Sequence, residues 1–293
     1  MDGADSQGRV LVLGGTSLVG RFLLPRLAAA GVPVAALSRR PPGVGPPDVD
    51  WITGEAGDPA LARRLSPAET VFSLAPIWLL PAALPALTAN GMRRLVAFSS
   101  TSRFTKERSP DAGERAVAGR LAEGEAAVMA SGVVWTILRP TLIYAEGRDR
   151  NVTRLARLIA RFGVLPLAGR GEGLRQPVHA DDLAQGAIAA AGAEAARNQA
   201  YALPGGETLA YREMAARLFE ALGKPPRLVS VPLPLWRAGL ALAAPLLPGA
   251  TAAMGVRMAE DLTFDPGPAA RDFGWRPRPF RPDFSGVDLS PAA

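Results

Sequence analysis

Residues 11–23 read LVLGGTSLVGRFL. A short apolar run, a glycine-rich turn and a second apolar segment with helical spacing follow one another without a break. That is the order strand, tight turn, helix. Gly14 permits the turn, and Gly20 lets the helix lie close to the strand. The spacing is G-x-x-S-x-x-G, so Ser17 stands where a middle glycine is usual; serine keeps the backbone close and adds a hydroxyl. The first turn of a helix carries N–H groups with no partner, and these attract a pyrophosphate. In this context the segment reads as a dinucleotide fingerprint, with Gly14, Thr16, Ser17, Leu18, Val19 and Gly20 as cofactor contacts. A tight strand–helix turn that holds nothing is the alternative.

Working outward, the same alternation runs through the first half of the chain. Strands are expected at 9–13, 33–37, 49–53, 70–75, 94–100 and 133–139. Helical segments are expected at 18–30, after Asp58, at 79–88 despite Pro81 and Pro85, and at 112–130. The strands are nearly continuous apolar runs, as strands covered on both faces are. Strand–helix alternation of this kind defines a doubly wound parallel sheet of Rossmann type in an α/β fold. Beyond Pro140 the order loosens. Helices are expected at 152–162, 181–191 and 209–222, with a strand at 201–203. No repeat or linker divides the 293 residues. The chain therefore reads as a single domain over 8–293, with small substrate-side cap elements at about 145–175 and 200–293.

Composition narrows the function. There is no cysteine, which removes disulfides, thiolate nucleophiles and cysteine-based metal sites. No HExxH pattern, paired-carboxylate spacing or Cys/His cluster points to a metal. The net charge is +6, but the only lysines are Lys106 and Lys224, and no basic run exceeds two residues. Acids are interspersed among the arginines, so nucleic-acid binding is not expected. The polar start and the short first apolar run suit a cytoplasmic protein. The uncharged stretch 238–254 contains Pro245 and Pro248 and reads as a buried helix with a proline-broken turn rather than a membrane span. The apolar stretch from Leu233 to Leu247 offers a surface for weak membrane or protein contact. Oligomeric state is not legible.

At the end of the second strand, an acidic residue would bind the ribose hydroxyls of NAD. The chain reads ALSRR instead. Ser38, Arg39 and Arg40 present two cations and no carboxylate, which favours a 2′-phosphate and hence NADP(H) over NAD(H). Asp58 can reach an adenine amine or simply cap the helical turn after it. The strand ends at Leu74, Ala75, Ser99, Ser100 and Pro140 complete the expected cofactor contacts.

GGTSLVG from Gly14, VAFSSTS from Val96, VVWTILRPTLIYA from Val133 and QPVHADDLA from Gln176 together resemble the short-chain dehydrogenase/reductase superfamily. The likeness is to its extended or atypical branch, the NAD-dependent epimerase/dehydratase-like proteins. The resemblance implies a Rossmann core, a nicotinamide cofactor and a small-molecule substrate such as a nucleotide sugar. It implies that Thr101, just after the fifth strand, orients a substrate oxygen. It also implies a Tyr-x-x-x-Lys pair on the next helix, where the cation lowers the phenol's pKa for proton transfer. That helix has neither residue; Val117 and Leu121 stand at the matching positions.

Lys106 and Tyr144 are the candidates to assist Thr101, although a solvated lysine and a packed tyrosine are the plainer readings. Arg148, Arg150, Asn151 and the lone histidine, His179, are candidate substrate contacts. Asp181 and Asp182 read as the cap of the helix that follows. Two functions remain open. One is an NAD(P)-dependent oxidoreductase or epimerase-like enzyme. The other is a non-catalytic NADP(H)-binding accessory or sensor protein, a situation similar to NmrA-like regulators and an accessory subunit of respiratory complex I.

Overall fold

A computed structural model describes residues 8–43, 45–46, 48–236 and 258–289. The stretch 238–254 lies outside this range, apart from which only 233–236 of the expected contact surface are described. In chain order the elements begin with β1 (Val10–Leu13), α1 (Gly20–Ala29), β2 (Val34–Ser38), β3 (Val49–Thr53) and β4 (Thr70–Ser73). They continue with α2 (Leu80–Ala89), β5 (Arg94–Phe98), α3 (Ser102–Thr105), α4 (Ala112–Met129) and β6 (Val134–Pro140). The second half has β7 (Ile143–Tyr144), α5 (Val152–Phe162), β8 (Leu165–Ala168), β9 (Leu174–Arg175) and β10 (Val178–His179). It ends with α6 (Ala180–Gly192), β11 (Gln199–Leu203), β12 (Leu209–Ala210), α7 (Tyr211–Ala221), β13 (Leu228–Val231) and α8 (Gly267–Phe273).

Seven strands form one parallel sheet in the order β11-β6-β5-β4-β1-β2-β3. Successive side chains alternate between its faces. Val10, Val12, Ala36, Phe72, Val96 and Leu138 enter one core with α1 and α6. Leu11, Leu13, Leu37, Val71, Leu95 and Ile137 enter the other with α2 and α4. Each fully buried aliphatic or aromatic side chain contributes about 1.5–3 kcal/mol. The strand order reverses between β1 and β4, and the crevice above that point is where such sheets bind ligands.

A third core lies beyond the sheet, where α5, α7 and the tail residues Phe280 and Phe284 enclose Tyr144. The 199–203 strand, expected among the cap elements, instead pairs with β6 and extends the main sheet. The same end of the sheet buries a charged residue on β5. Arg94 is only 9 % exposed, and its Nη2 donates to the Thr136 hydroxyl at 2.5 Å and to the Ala190 carbonyl at 2.8 Å. Burial pushes this guanidinium down to about 10. Arg94 thus fastens the carbonyl end of α6 to the sheet, where the helix dipole favours a cation.

Asp181 and Asp182 do not cap α6. His179 does, with Nδ1 accepting from the Asp181 amide at 3.1 Å. The two carboxylates instead hold the C-terminal tail, Arg278 donating to Asp182 at 2.8 Å and to Asp181 at 2.7 Å. A carboxylate in the first turn still suits the helix dipole, so local sequence could not separate the two roles.

Candidate functional site

The turn after β1 has the geometry its glycines anticipate. Gly14 sits at φ +77°, and a Cβ there would lie 2.9 Å from the Ala75 nitrogen. A Cβ on Gly20 would lie 2.3 Å from the Gly15 carbonyl oxygen. The Ser17 hydroxyl accepts from the Gly20 amide at 3.1 Å, so it serves the helix start itself. Among the described residues the amides of Thr16, Leu18 and Val19 donate to no acceptor. Unpaired N–H groups at a helix start, beside an apolar crevice, fit the diphosphate of a dinucleotide.

Two cavities open at the carboxyl ends of the strands. The first, about 350 Å³, is lined by Ser17, Leu18, Val19, Leu74, Ala75, Ser99, Ser100 and Pro140, joined by Ile77, Trp78, Phe98, Leu121 and Ile143. The second, about 380 Å³, is lined by Ser100, Thr101, Lys106 and Asn151, together with Ser102, Thr105, Thr141, Arg175, Gln176, Leu262 and Phe264. Ser100 and Ile143 belong to both, so the cavities meet there. No carboxylate occurs among the described residues lining either one.

Sites nearer the outer strands are simpler. Ser38 bonds the Thr16 hydroxyl at 2.8 Å, tying the end of β2 to the glycine turn. Arg39 and Arg40 are exposed immediately beyond it. Asp58 accepts from the Ala60 amide at 2.8 Å and caps the short turn Pro59–Arg63.

The residues considered for chemistry separate. Thr101 is 6 % exposed and donates its hydroxyl to the Pro140 carbonyl at 3.1 Å. Lys106 reaches the second cavity, its Nζ 3.8 Å from Glu114. Tyr144 lines neither cavity. It is 1 % exposed, packed edge-on against the His179 and Phe280 rings with centroids 5.0 Å away. Burial first, and then the charges of Glu146 and Asp182, push its phenol far above its ordinary value. It is a core residue, since a buried phenol in that state does not exchange protons near neutrality. His179 is likewise absent from both linings, held between the Asp181 amide and Glu146, with Nε2 3.2 Å from the Glu146 carboxylate. Arg148 and Arg150 are exposed and line neither cavity. Tyr144 thus sits in the third core with the His179 ring against it, Arg148 and Arg150 are exposed, and none of the four lines either cavity.

What sequence reading missed is the wall of the site. Glu125 on α4 is 1 % exposed, accepts the Ser99 hydroxyl at 2.6 Å, and pairs with Arg139 and with Arg103. Both guanidinium groups lie against the Phe104 ring, 5.2 and 5.0 Å from its centroid. No local pattern announces this cluster, because its members come from β5, α3, α4 and β6. The far wall is equally nonlocal. Gln176 exchanges two hydrogen bonds with the Phe264 backbone, and the Leu262 amide donates to the Leu174 carbonyl at 3.0 Å. This lays residues 262–264 across the second cavity. The described residues contain no group of three potential metal ligands and no helix long and apolar enough to cross a membrane.

The fold and the site define an α/β protein built around a nicotinamide dinucleotide. A family described as NAD(P)H-binding matches residues 14–159. The (4-alkanoyl-5-oxo-2,5-dihydrofuran-3-yl)methyl phosphate reductase of Streptomyces griseus is 36% identical over 234 residues, covering 74% of this chain and 75% of that protein. An NAD(P)H azoreductase of Xenophilus azovorans is 28% identical, covering 76% and 77%. Among solved structures, the Bordetella bronchiseptica enzyme WbmG, determined with NAD, superposes with a TM-score of 0.72 at 17% identity, covering 98% and 94%. The chain belongs to this NAD(P)H-binding family, together with the Streptomyces reductase, and is an NAD(P)-dependent enzyme of oxidoreductase type.

Proposed function

We propose that the protein is an NADPH-dependent reductase acting on a small organic molecule with a polarised double bond and an anionic substituent. The observation that carries this reading is the junction of the two cavities at Ser100 and Ile143, above the switch point of the sheet. The glycine turn supplies amides for the diphosphate, and Leu121 gives the reacting end an apolar wall. Reduced nicotinamide, when bound there, supplies a hydride equivalent to whatever occupies the second cavity. The protein's part is to bind, orient and exclude water.

The second cavity suits an anion, because Lys106 and Arg175 line it and no described carboxylate does. Arg175 is 7 % exposed, and its Nη1 donates to the Leu174 and Glu260 carbonyls, so its charge is fixed in place. The Streptomyces relative is named as the reductase of a dihydrofuranone that carries a methyl phosphate group, and a phosphorylated substrate, a nucleotide sugar included, has the matching charge. Both curated relatives named above are reductases, which supports the enzyme over a non-catalytic cofactor holder. The exposed Arg39 and Arg40 beyond β2 support NADPH over NADH.

Fluorescence titration with NADPH and NADH, followed by turnover on a panel of quinones, azo dyes and conjugated carbonyls, tests the proposal. Tighter binding of NADPH and oxidation of it by at least one panel member are expected. Binding of neither cofactor overturns the reading.

A further inference from the structure

We propose that Ser100, and not the threonine beside it, is the hydrogen-bond donor that polarises the reducible bond; this rests on the reductase reading above. Three consecutive hydroxyls, Ser99, Ser100 and Thr101, follow β5. A hydroxyl has one proton to give and two lone pairs to receive with. The Ser99 proton goes to Glu125 at 2.6 Å, and Arg139 and Arg103 pair with the same carboxylate. The Thr101 proton goes to the Pro140 carbonyl at 3.1 Å. Ser100 differs from both. Its oxygen accepts from the Ser102 amide at 3.1 Å, and its own proton has no acceptor among the described residues. The amide fixes the oxygen and leaves the O–H for a ligand.

Position agrees with polarity. Ser102 and Thr105 also carry hydroxyls, but they line the second cavity alone. Ser100 is the hydroxyl shared by both cavities. Hydride transfer needs cofactor and substrate in contact, so the reacting oxygen or nitrogen belongs at that boundary. Ser99 and Ser100 thus face the site with opposite roles, one receiving and one donating.

In carbonyl reduction a hydride equivalent from the reduced nicotinamide forms the new C–H bond. The C=O π pair moves onto oxygen, which takes one proton and ends as an alcohol. The Ser100 O–H stabilises the charge growing on that oxygen, and water replaces the proton finally consumed. Removing one such donor typically costs about 10²–10³ in kcat.

The experiment uses purified full-length protein with NADPH, and 9,10-phenanthrenequinone and methyl red as probes. Ser100→Ala is expected to lower kcat about 100-fold, while NADPH affinity read by fluorescence changes far less. Ser100→Thr should restore part of the loss. Thr101→Val is expected to cost at least about tenfold less than Ser100→Ala. Binding of each probe to the NADP+ complex, followed by quenching, should weaken in Ser100→Ala. Undiminished kcat in Ser100→Ala overturns the assignment, as does an equal loss in Thr101→Val at unchanged Tm. Wild-type protein that binds NADPH yet reduces neither probe nor any panel member overturns the reductase reading and this assignment with it. Turnover lost only in the Ser100 variants upholds both.

Discussion

Arg139 meets Glu125 edge to edge, Nε to Oε1 at 2.9 Å and Nη2 to Oε2 at 2.7 Å, inside a wall that water barely reaches. Two-point pairing of this kind is the strongest geometry open to a guanidinium and a carboxylate. It joins α4 to β6 directly behind the hydroxyl of Ser99.

Glu125→Gln keeps the shape and removes the charge, leaving two guanidinium groups without their counterion. Breaking one side of a buried pair costs about 3–5 kcal/mol. Chemical denaturation should show a loss of that size. Glu125→Leu combined with Arg139→Leu should recover part of it, because no orphaned charge remains at that pair. A loss below about 1 kcal/mol for Glu125→Gln would mean the cluster is solvated in solution.

Two glycines should respond oppositely to alanine. At Gly20 the added carbon would press on the Gly15 carbonyl, so Gly20→Ala should cost about 1–3 kcal/mol and weaken NADPH binding at least tenfold. Gly119 lies exposed inside α4 with nothing near its missing Cβ. There Gly119→Ala should stabilise by about 0.5–1 kcal/mol. Thermal melts and NADPH titrations of both variants check the contrast.

Cofactor choice should reside in Arg39 and Arg40. Replacing both with alanine removes the cations offered to a 2′-phosphate and leaves the glycine turn untouched. NADPH affinity should fall about 10–100-fold, equivalent to about 1.4–2.8 kcal/mol, with little change for NADH. Equal losses for the two cofactors would place the arginines elsewhere in the binding event.

Glu146 should shape the acid limb of stability. Burial works to raise its carboxyl, but hydrogen bonds from His179, from its own backbone and from the Asp283 amide, with the His179 charge, outweigh burial and hold it below the usual 4.5. A carboxyl depressed in the folded state stabilises above its unfolded value and loses that contribution as the pH falls through the folded one. Glu146→Gln should therefore lower Tm near pH 7, and the gap to wild type should close as the pH drops from about 5 toward 3. A gap independent of pH would refute the linkage.

Legibility followed the range of the constraint. The turn at Gly14 and Gly20 and the six strands around it could be read because each depends on neighbours in sequence. Tyr144 could not be placed, since nothing local says which way a tyrosine turns after a strand, and Phe280, 136 positions on, is what receives it. Asp182 looked like a cap for the same reason; its partner, Arg278, comes from the far end of the chain. Glu125 was hidden among helix residues whose apolar spacing suggested only packing. The sheet edge at β11 was missed because QAYAL is short and follows a helical stretch, so its pairing with β6 has no local sign.

That last strand has a consequence during synthesis. β6 is complete once Pro140 has left the ribosome, but the partner that covers its open side emerges only with Gln199–Leu203. Until then a nascent chain displays an unpaired, apolar template of backbone N–H and C=O groups, the feature that recruits other chains into aggregates. Products truncated between these two points should accumulate as inclusion bodies, and expression yield should depend on how quickly the final third of the message is translated.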